Sequence, residues 1–140
     1  MMKILLVDDS KFLRLAMERA LVRAGYQVCP AADGEAALEI AREKSPDLIL
    51  LDMLLPKMSG QDVLKALKSD PATAAIPVVA LTGLSQVNAG RLLGDGAFAF
   101  LEKANLHLDQ GGDLLLRAVG DIVKKIVQKR SQKDGVSSSN

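Results

Sequence analysis

The chain has 140 residues, 49% of them hydrophobic and 25% charged, with a formal net charge of +1. That is about one domain of ordinary globular composition, long enough to bury roughly two thirds of its unfolded surface without a disulfide or metal staple. A single cysteine excludes an internal disulfide and a multi-cysteine metal site, and three Phe, one Tyr and no Trp argue against an aromatic platform for single-stranded nucleic acid.

The opening "MMKILLVDDS" has an apolar run too short for a signal peptide, and no run of about 18 apolar residues suggests a membrane span. The expectation is a cytoplasmic protein without membrane insertion. The charge is uneven. Residues 1–116 carry 12 basic and 15 acidic side chains, and residues 117–140 carry 6 and 2. The basic excess belongs to the C-terminal helix and tail. It reads as a solvated helix face or, more sharply, as a weak contact for an acidic partner, a membrane surface or nucleic acid.

"KILLVDD" (3–9) reads as a buried strand. From Ser10 the period changes: Leu13, Ala16, Met17, Ala20, Leu21 and Ala24 fall on one helix face, with Ser10 as cap and Gly25 as stop. "YQVCPAA" (26–32) is a weaker strand, and Pro30 places it near a sheet edge. Cys29, in that apolar stretch, reads as a small core residue. Ala36 to Glu43 is helical, and Leu48 to Asp52 is a third strand.

Gln61 to Ser69 is a short helix with Val63, Leu64 and Leu67 inward, and Val78 to Thr82 is a fourth strand. Residues 85–94 make a poor helix weakened by Gly90 and Gly94, and Ala97 to Glu102 is a fifth strand. "ANLHLDQGG" (104–112) is a polar connection. The last helix starts near Asp113, with Leu115, Val119, Ile122, Val123 and Ile126 as its apolar stripe. The division is therefore a domain over 1–130 and a disordered polar tail over 131–140. Strands alternating with helices predict an α/β fold, a five-stranded parallel sheet with helices on both faces.

In such sheets the site lies off the carboxyl ends of the strands. There the sequence places Asp8 and Asp9, Asp52, Thr82 and Lys103, with Asp33 one step beyond the second strand. Gathered carboxylates repel and call for a cation. Mg²⁺, with its oxygen ligands and retained waters, suits them and leaves room for a phosphoryl oxygen. An Asp can itself be the nucleophile, forming an aspartyl phosphate. Taken singly, each residue has a plainer reading: turn or cap chemistry for the Asp pair, a structural Thr, a solvated Lys, and a helix start for Pro56 and Gly60.

The pieces "VDDS", "LLDMLLPKMSG", "ALTG" and "GDGAFAFLEK", in order and each at a strand end, resemble the receiver domains of two-component response regulators, in particular the single-domain chemotaxis-type regulators. The resemblance covers about residues 3–127 and implies a flavodoxin-like doubly wound (βα)5 sandwich. It implies Asp52 as phosphoacceptor and Asp8, Asp9, Asp52 and the backbone carbonyl of Leu54 as ligands of Mg²⁺. Lys103 and Thr82 would hold the phosphoryl group, and Thr82 and Phe100 would form the switch, although Phe100 also reads as core beside Phe98. Implied partners are a sensor histidine kinase or histidine phosphotransfer protein and a downstream protein target. Direct DNA binding is not expected, and a homodimer on phosphorylation is compatible. His107 lies outside the motifs and reads as a surface or loop residue.

Three departures from the family stand out. Ala104 replaces the usual proline after the lysine, which is held in a cis bond in the family. Leu54 and Leu84 are apolar beside the path of hydrolytic water, which predicts a long-lived phosphoryl group. "NLHLDQGG" lengthens the last connection. Other readings remain open: a Mg²⁺-dependent phosphatase passing through aspartyl phosphate, disfavoured because the first-strand acids are adjacent; a nucleotide-binding flavodoxin-like module, disfavoured for want of a glycine-rich loop; a degenerate receiver that only binds partners; and a receiver excised from a longer regulator or hybrid kinase. Except for the phosphatase, none implies a turnover enzyme.

Overall fold

The computed structural model describes residues 2–83 and 89–138. In chain order the elements are β1 (Lys3–Val7), α1 (Lys11–Arg23), β2 (Gln27–Ala31), α2 (Gly34–Lys44), β3 (Leu48–Asp52), α3 (Gly60–Ser69), β4 (Val78–Thr82), α4 (Ala89–Gly94), β5 (Ala99–Glu102), two 3₁₀ turns (Lys103–Leu106 and Leu108–Gln110) and α5 (Asp113–Ser138). The strands form one sheet in the order β2-β1-β3-β4-β5, and every pairing is parallel. Chain progression reverses between β1 and β3, which opens a crevice at their carboxyl ends.

Side chains alternate across the sheet. Leu5, Val7, Ile49, Leu51, Val78 and Ala80 face one core with α2 and α3 residues such as Ala37, Val63 and Leu64. Ile4, Leu6, Leu48, Leu50, Val79 and Leu81 face the other, against Met17 and Leu21 of α1 and Leu115, Val119, Ile122 and Ile126 of α5. Burial on both faces is why β1, β3 and β4 read as unbroken apolar runs. β2 is an edge strand, so Pro30 sits there without losing a ladder bond on both sides.

Caps set the helix starts. The Ser10 hydroxyl accepts from the Leu13 N–H at 3.4 Å, the Asp33 carboxylate from Ala36 at 2.8 Å and the Ser59 hydroxyl from Asp62 at 3.1 Å. Capping by Asp33 starts α2 at Gly34, two residues ahead of the expected Ala36. Gly25, at φ +100°, ends α1, where the Tyr26 N–H returns to the Leu21 carbonyl at 3.1 Å.

Further along the chain the element bounds differ from expectation. The fifth strand begins at Ala99, because the Ala97 N–H turns back to the Leu92 carbonyl and closes α4. The expected helix over 85–94 is present from Ala89; residues 85–88 lie outside the described residues. The polar connection 104–112 holds the two 3₁₀ turns, and its Leu106 is buried in the core facing α5. The last helix also passes the expected boundary at residue 130 and continues to Ser138, so the polar tail is helical that far. No proline interrupts it, and extending a formed helix needs no new nucleus.

Gly60 explains the tight path after β3. Its N–H donates to the Met53 carbonyl at 3.2 Å, and an added Cβ would fall on the Met53 backbone and 2.5 Å from the Asp52 carbonyl oxygen. Backbone cannot yield as a side-chain tip can. In equilibrium urea unfolding, Gly60→Ala is expected to lose about 1–3 kcal/mol, the usual range for overpacking. Gly120→Ala, inside α5 with open space around it, should gain up to about 1 kcal/mol from helix propensity. A neutral Gly60→Ala would refute the close-approach account.

Candidate functional site

Register brings the acids together. Val7 pairs with Leu51, so Asp8 and Asp52 leave the sheet side by side at the β1–β3 crevice. Asp8, Asp9 and Asp52 each offer a carboxylate oxygen within 4.8 Å of the others. Asp8 and Asp52 are buried, at 0% and 3% exposure, while Asp9 is open to solvent.

Lys103 reaches this cluster from the end of β5. Its Nζ lies 2.8 Å from Asp8 Oδ2 and donates to Asp52 Oδ2 at 3.0 Å. The Asp8 contact is one of charge, without the alignment of a hydrogen bond, so Asp8 Oδ2 is buried with no hydrogen-bond donor. The other oxygens are held by backbone: Asp8 Oδ1 accepts from the Ser10 N–H at 2.9 Å, and Asp52 Oδ1 from the Leu54 N–H at 3.0 Å. The Lys103–Ala104 peptide bond is trans, as are the others among the described residues. The lysine therefore reaches both acids without the family's cis bond.

Burial pushes the Asp52 pKa up. The Leu54 N–H and Lys103 pull it down and the Asp8 charge raises it, and the net effect is upward. Burial alone would lower the Lys103 pKa, but the two carboxylates outweigh it and the ammonium is held more firmly than usual. The site is short of positive charge, and its donors are carboxylate oxygens, one of them without a hydrogen bond. That set fits a hard divalent cation such as Mg²⁺ better than it fits a soft metal.

The remaining residues fall in different places. Thr82 ends β4, half-buried, its hydroxyl 3.5 Å from the Leu101 carbonyl, the outer limit of a hydrogen bond. The Leu54 side chain is 83% exposed beside the acids. Leu84 lies outside the described residues. Phe100 pairs with Ala80 and is half-buried against the α2–α3 core, whereas Phe98 precedes the strand and packs on the opposite core. Asp33 is occupied as a helix cap, and His107 is exposed between the 3₁₀ turns.

Sequence reading missed Arg14. Its Nη1 donates to the Asp8 backbone carbonyl at 2.6 Å, bringing a second cation to the acidic loop. The available signal was Lys11 and Arg14 near the start of a helix with no acid in its first turn, where the helix dipole disfavours cations. The loop after Asp52 is equally tight. Lys57 stands at φ 66° while the Met58 N–H bonds to the Pro56 carbonyl at 2.6 Å, a γ-turn centred on a non-glycine residue.

With this geometry in place, comparison with known proteins is direct. The response regulator receiver domain matches residues 4–109. The gliding motility regulatory protein of Myxococcus xanthus is 44% identical over 110 residues, 77% of this chain and 14% of that protein. Response regulator PleD of Caulobacter vibrioides is 42% identical over 103 residues, 72% of this chain and 22% of that protein. The chain thus spans under a quarter of the length of these two relatives. Among solved structures, the chemotaxis response regulator CheY4 of Vibrio cholerae superposes with a TM-score of 0.78 at 31% identity, covering 87% of this chain and 98% of that one.

The chain belongs to the response regulator receiver domain family, with the CheY-like flavodoxin fold of two-component signalling. Among the described residues, no helix is long and apolar enough to cross a membrane.

The raised Asp52 pKa has a thermodynamic consequence. The folded state holds that proton more tightly than the unfolded chain, so ionisation lowers stability. The loss is absent below the unfolded carboxylate value and complete once pH rises through the folded one. In chelator-containing buffer, Asp52→Asn should therefore melt above wild type at neutral pH, and the difference should vanish by about pH 3. Equal melting temperatures at neutral pH would contradict this.

Proposed function

We propose that this domain receives a phosphoryl group on Asp52 from a phosphohistidine of a sensor histidine kinase or histidine phosphotransfer protein, in a Mg²⁺-dependent reaction, and so switches a protein-binding surface. The observation that carries the proposal is the convergence of Asp8, Asp9, Asp52 and Lys103 at one sheet edge. An Asp52 oxygen attacks phosphorus, the phosphorus–nitrogen bond of the donor breaks, and the electron pair returns to the imidazole. Burial that raises the proton affinity of Asp52 also makes its ionised form a stronger nucleophile.

Asp8, Asp9, Asp52 and the Leu54 carbonyl would hold Mg²⁺, which when bound supplies charge neutralisation for the acids and one phosphoryl oxygen. Lys103, already pinned between Asp8 and Asp52, is placed to follow the new charge onto the phosphoryl oxygens. Thr82 would turn from the Leu101 carbonyl toward them, and Phe100 would move into the space released, altering the face formed by α4, β5 and α5. The domain acts as a phosphoacceptor and not as a turnover enzyme. A longer parent protein is a second reading, favoured by the greater length of the relatives above.

Incubated with acetyl phosphate and Mg²⁺, wild type should gain one acid-stable, base-labile phosphoryl group by intact mass. Asp52→Ala should gain none, chelator should prevent it, and Lys103→Ala should react about a hundredfold more slowly, the usual effect of losing one charge-stabilising donor. Labelling of Asp52→Ala at the wild-type rate would remove the assignment. Leu54, apolar and exposed, offers no group to orient attacking water. Phosphoryl loss should be slow for the family, and Leu54→Asn should hasten it severalfold; an unchanged lifetime would discount Leu54.

A further inference from the structure

The basic excess of the C-terminal helix takes no part in the site at the carboxyl ends of the strands. α5 runs back along the sheet, and among its described side chains the last buried one is Ile126. The helix continues for about three further turns. At the opposite edge of the sheet, where β4 and β5 begin, α5 residues from Ile122 to Arg130 flank an open groove of about 860 Å³. The groove has an apolar floor that includes Pro77, Ala97, Phe98, Ile122 and Ile126.

The rim is cationic: Lys68 from α3 on one side, and Lys125, Lys129 and Arg130 from α5 on the other, with no carboxylate among the described lining residues. Among the described residues, none of these four cations forms an ion pair with an acid. Lys129 Nζ stands 5.6 Å from the centre of the Phe98 ring, so its charge is held directly over the apolar floor. Lys68 donates to the Ala74 and Ile76 carbonyls at 3.1 and 2.7 Å. An ammonium has three donors, so one remains. Burial lowers the pKa of Lys68, and a neighbouring carboxylate would offset that loss.

We propose that this groove is a docking site for an acidic peptide segment of a partner protein, carrying apolar side chains into the floor and carboxylates onto the rim. Concavity argues against a membrane, because a flat bilayer touches the rim and leaves the floor empty. An apolar floor offers nothing to a phosphate backbone. The groove lies at the other end of the strands from Asp52, so the unphosphorylated domain binds, and docking does not rest on the function proposed above.

The test uses the full chain and a short fluorescein-labelled peptide of Glu, Leu and Phe, followed by fluorescence anisotropy and amide NMR shifts. The peptide should saturate, shift the amides near Lys68, Ala97 to Ala99 and Ile122 to Arg130, and bind more weakly as salt rises. Because both side chains are exposed on a helix, the double change K129E/R130E should lower the melting temperature by no more than the loss of the exposed Lys129–Phe98 cation–π contact, while weakening binding about tenfold, a loss of about 1.4 kcal/mol. A Lys-for-Glu peptide should bind K129E/R130E better than wild type, and Asp52→Ala should bind as wild type does. Four results would overturn the proposal: no saturation, shifts confined elsewhere, indifference to K129E/R130E, or a preference of the groove for anionic vesicles, duplex DNA or a second copy of the chain over the peptide.

Discussion

The arrangement at the head of β1 and β3 depends on one ammonium. Asp8 and Asp52 offer oxygens no more than 4.8 Å apart, and both side chains are out of water. At an effective dielectric near 20, two ionised carboxylates at that distance repel by on the order of 3 kcal/mol. This is a large share of the 5–15 kcal/mol by which a domain is ordinarily stable. Lys103 touches both acids and is the cation among the described residues that does so. Arg14 helps from below, at the Asp8 carbonyl. The site is built with less positive charge than its acids call for, and that shortfall is what the proposed divalent ion would relieve.

The scaffold that tolerates this strain is the doubly covered sheet. β1, β3 and β4 bury nearly every side chain, and α1 and α5 on one face and α2 and α3 on the other close two separate cores. The rigidity extends into the loop beyond Asp52. Gly60 packs against the Asp52–Met53 backbone, and Lys57 is held at φ 66° between Pro56 and Met58. A left-handed, non-glycine residue costs on the order of 1–3 kcal/mol and persists only where its surroundings dictate it. Here the surroundings are a helix start, capped by Ser59 and pressed onto the strand end that carries Asp52. Asp52 and the loop behind it are therefore fixed by the same contacts.

What the residues alone could reveal follows from this architecture. β3 and β4 were legible to the residue, since an apolar run covered on both faces ends abruptly where a polar side chain must leave the sheet. β5 was less so, because Ala97 and Phe98 are as apolar as the strand they precede, and only the hydrogen bond from Ala97 to α4 separates turn from strand. "ANLHLDQGG" looked polar on average, yet Leu106 is core. One buried side chain in a turn leaves no periodic trace. The meeting of Asp8, Asp52 and Lys103 could be anticipated from parallel topology, whereas for Arg14 the cations at the start of α1 hint only at an unusual helix end, and its target, a backbone carbonyl, has no signature of its own.

Energetics also constrain how the proposed switch works. Moving a two-state equilibrium from 1:99 to 99:1 requires about 5.5 kcal/mol of differential stabilisation. A hydrogen bond to a charged group contributes about 1.5–3 kcal/mol, so Thr82 exchanging a 3.5 Å contact with Leu101 for a phosphoryl oxygen falls short alone. Lys103 closes the gap more readily, because it follows Glu102 directly and lies three residues beyond Phe100. A shift of its ammonium from Asp8 and Asp52 toward a phosphoryl group pulls on the strand that carries the aromatic ring. Phe100, half-buried on an edge strand, meets less resistance to that pull than a ring in either core would. Transmission through Lys103 and β5, with Thr82 as the second contact, is the route that the magnitudes allow.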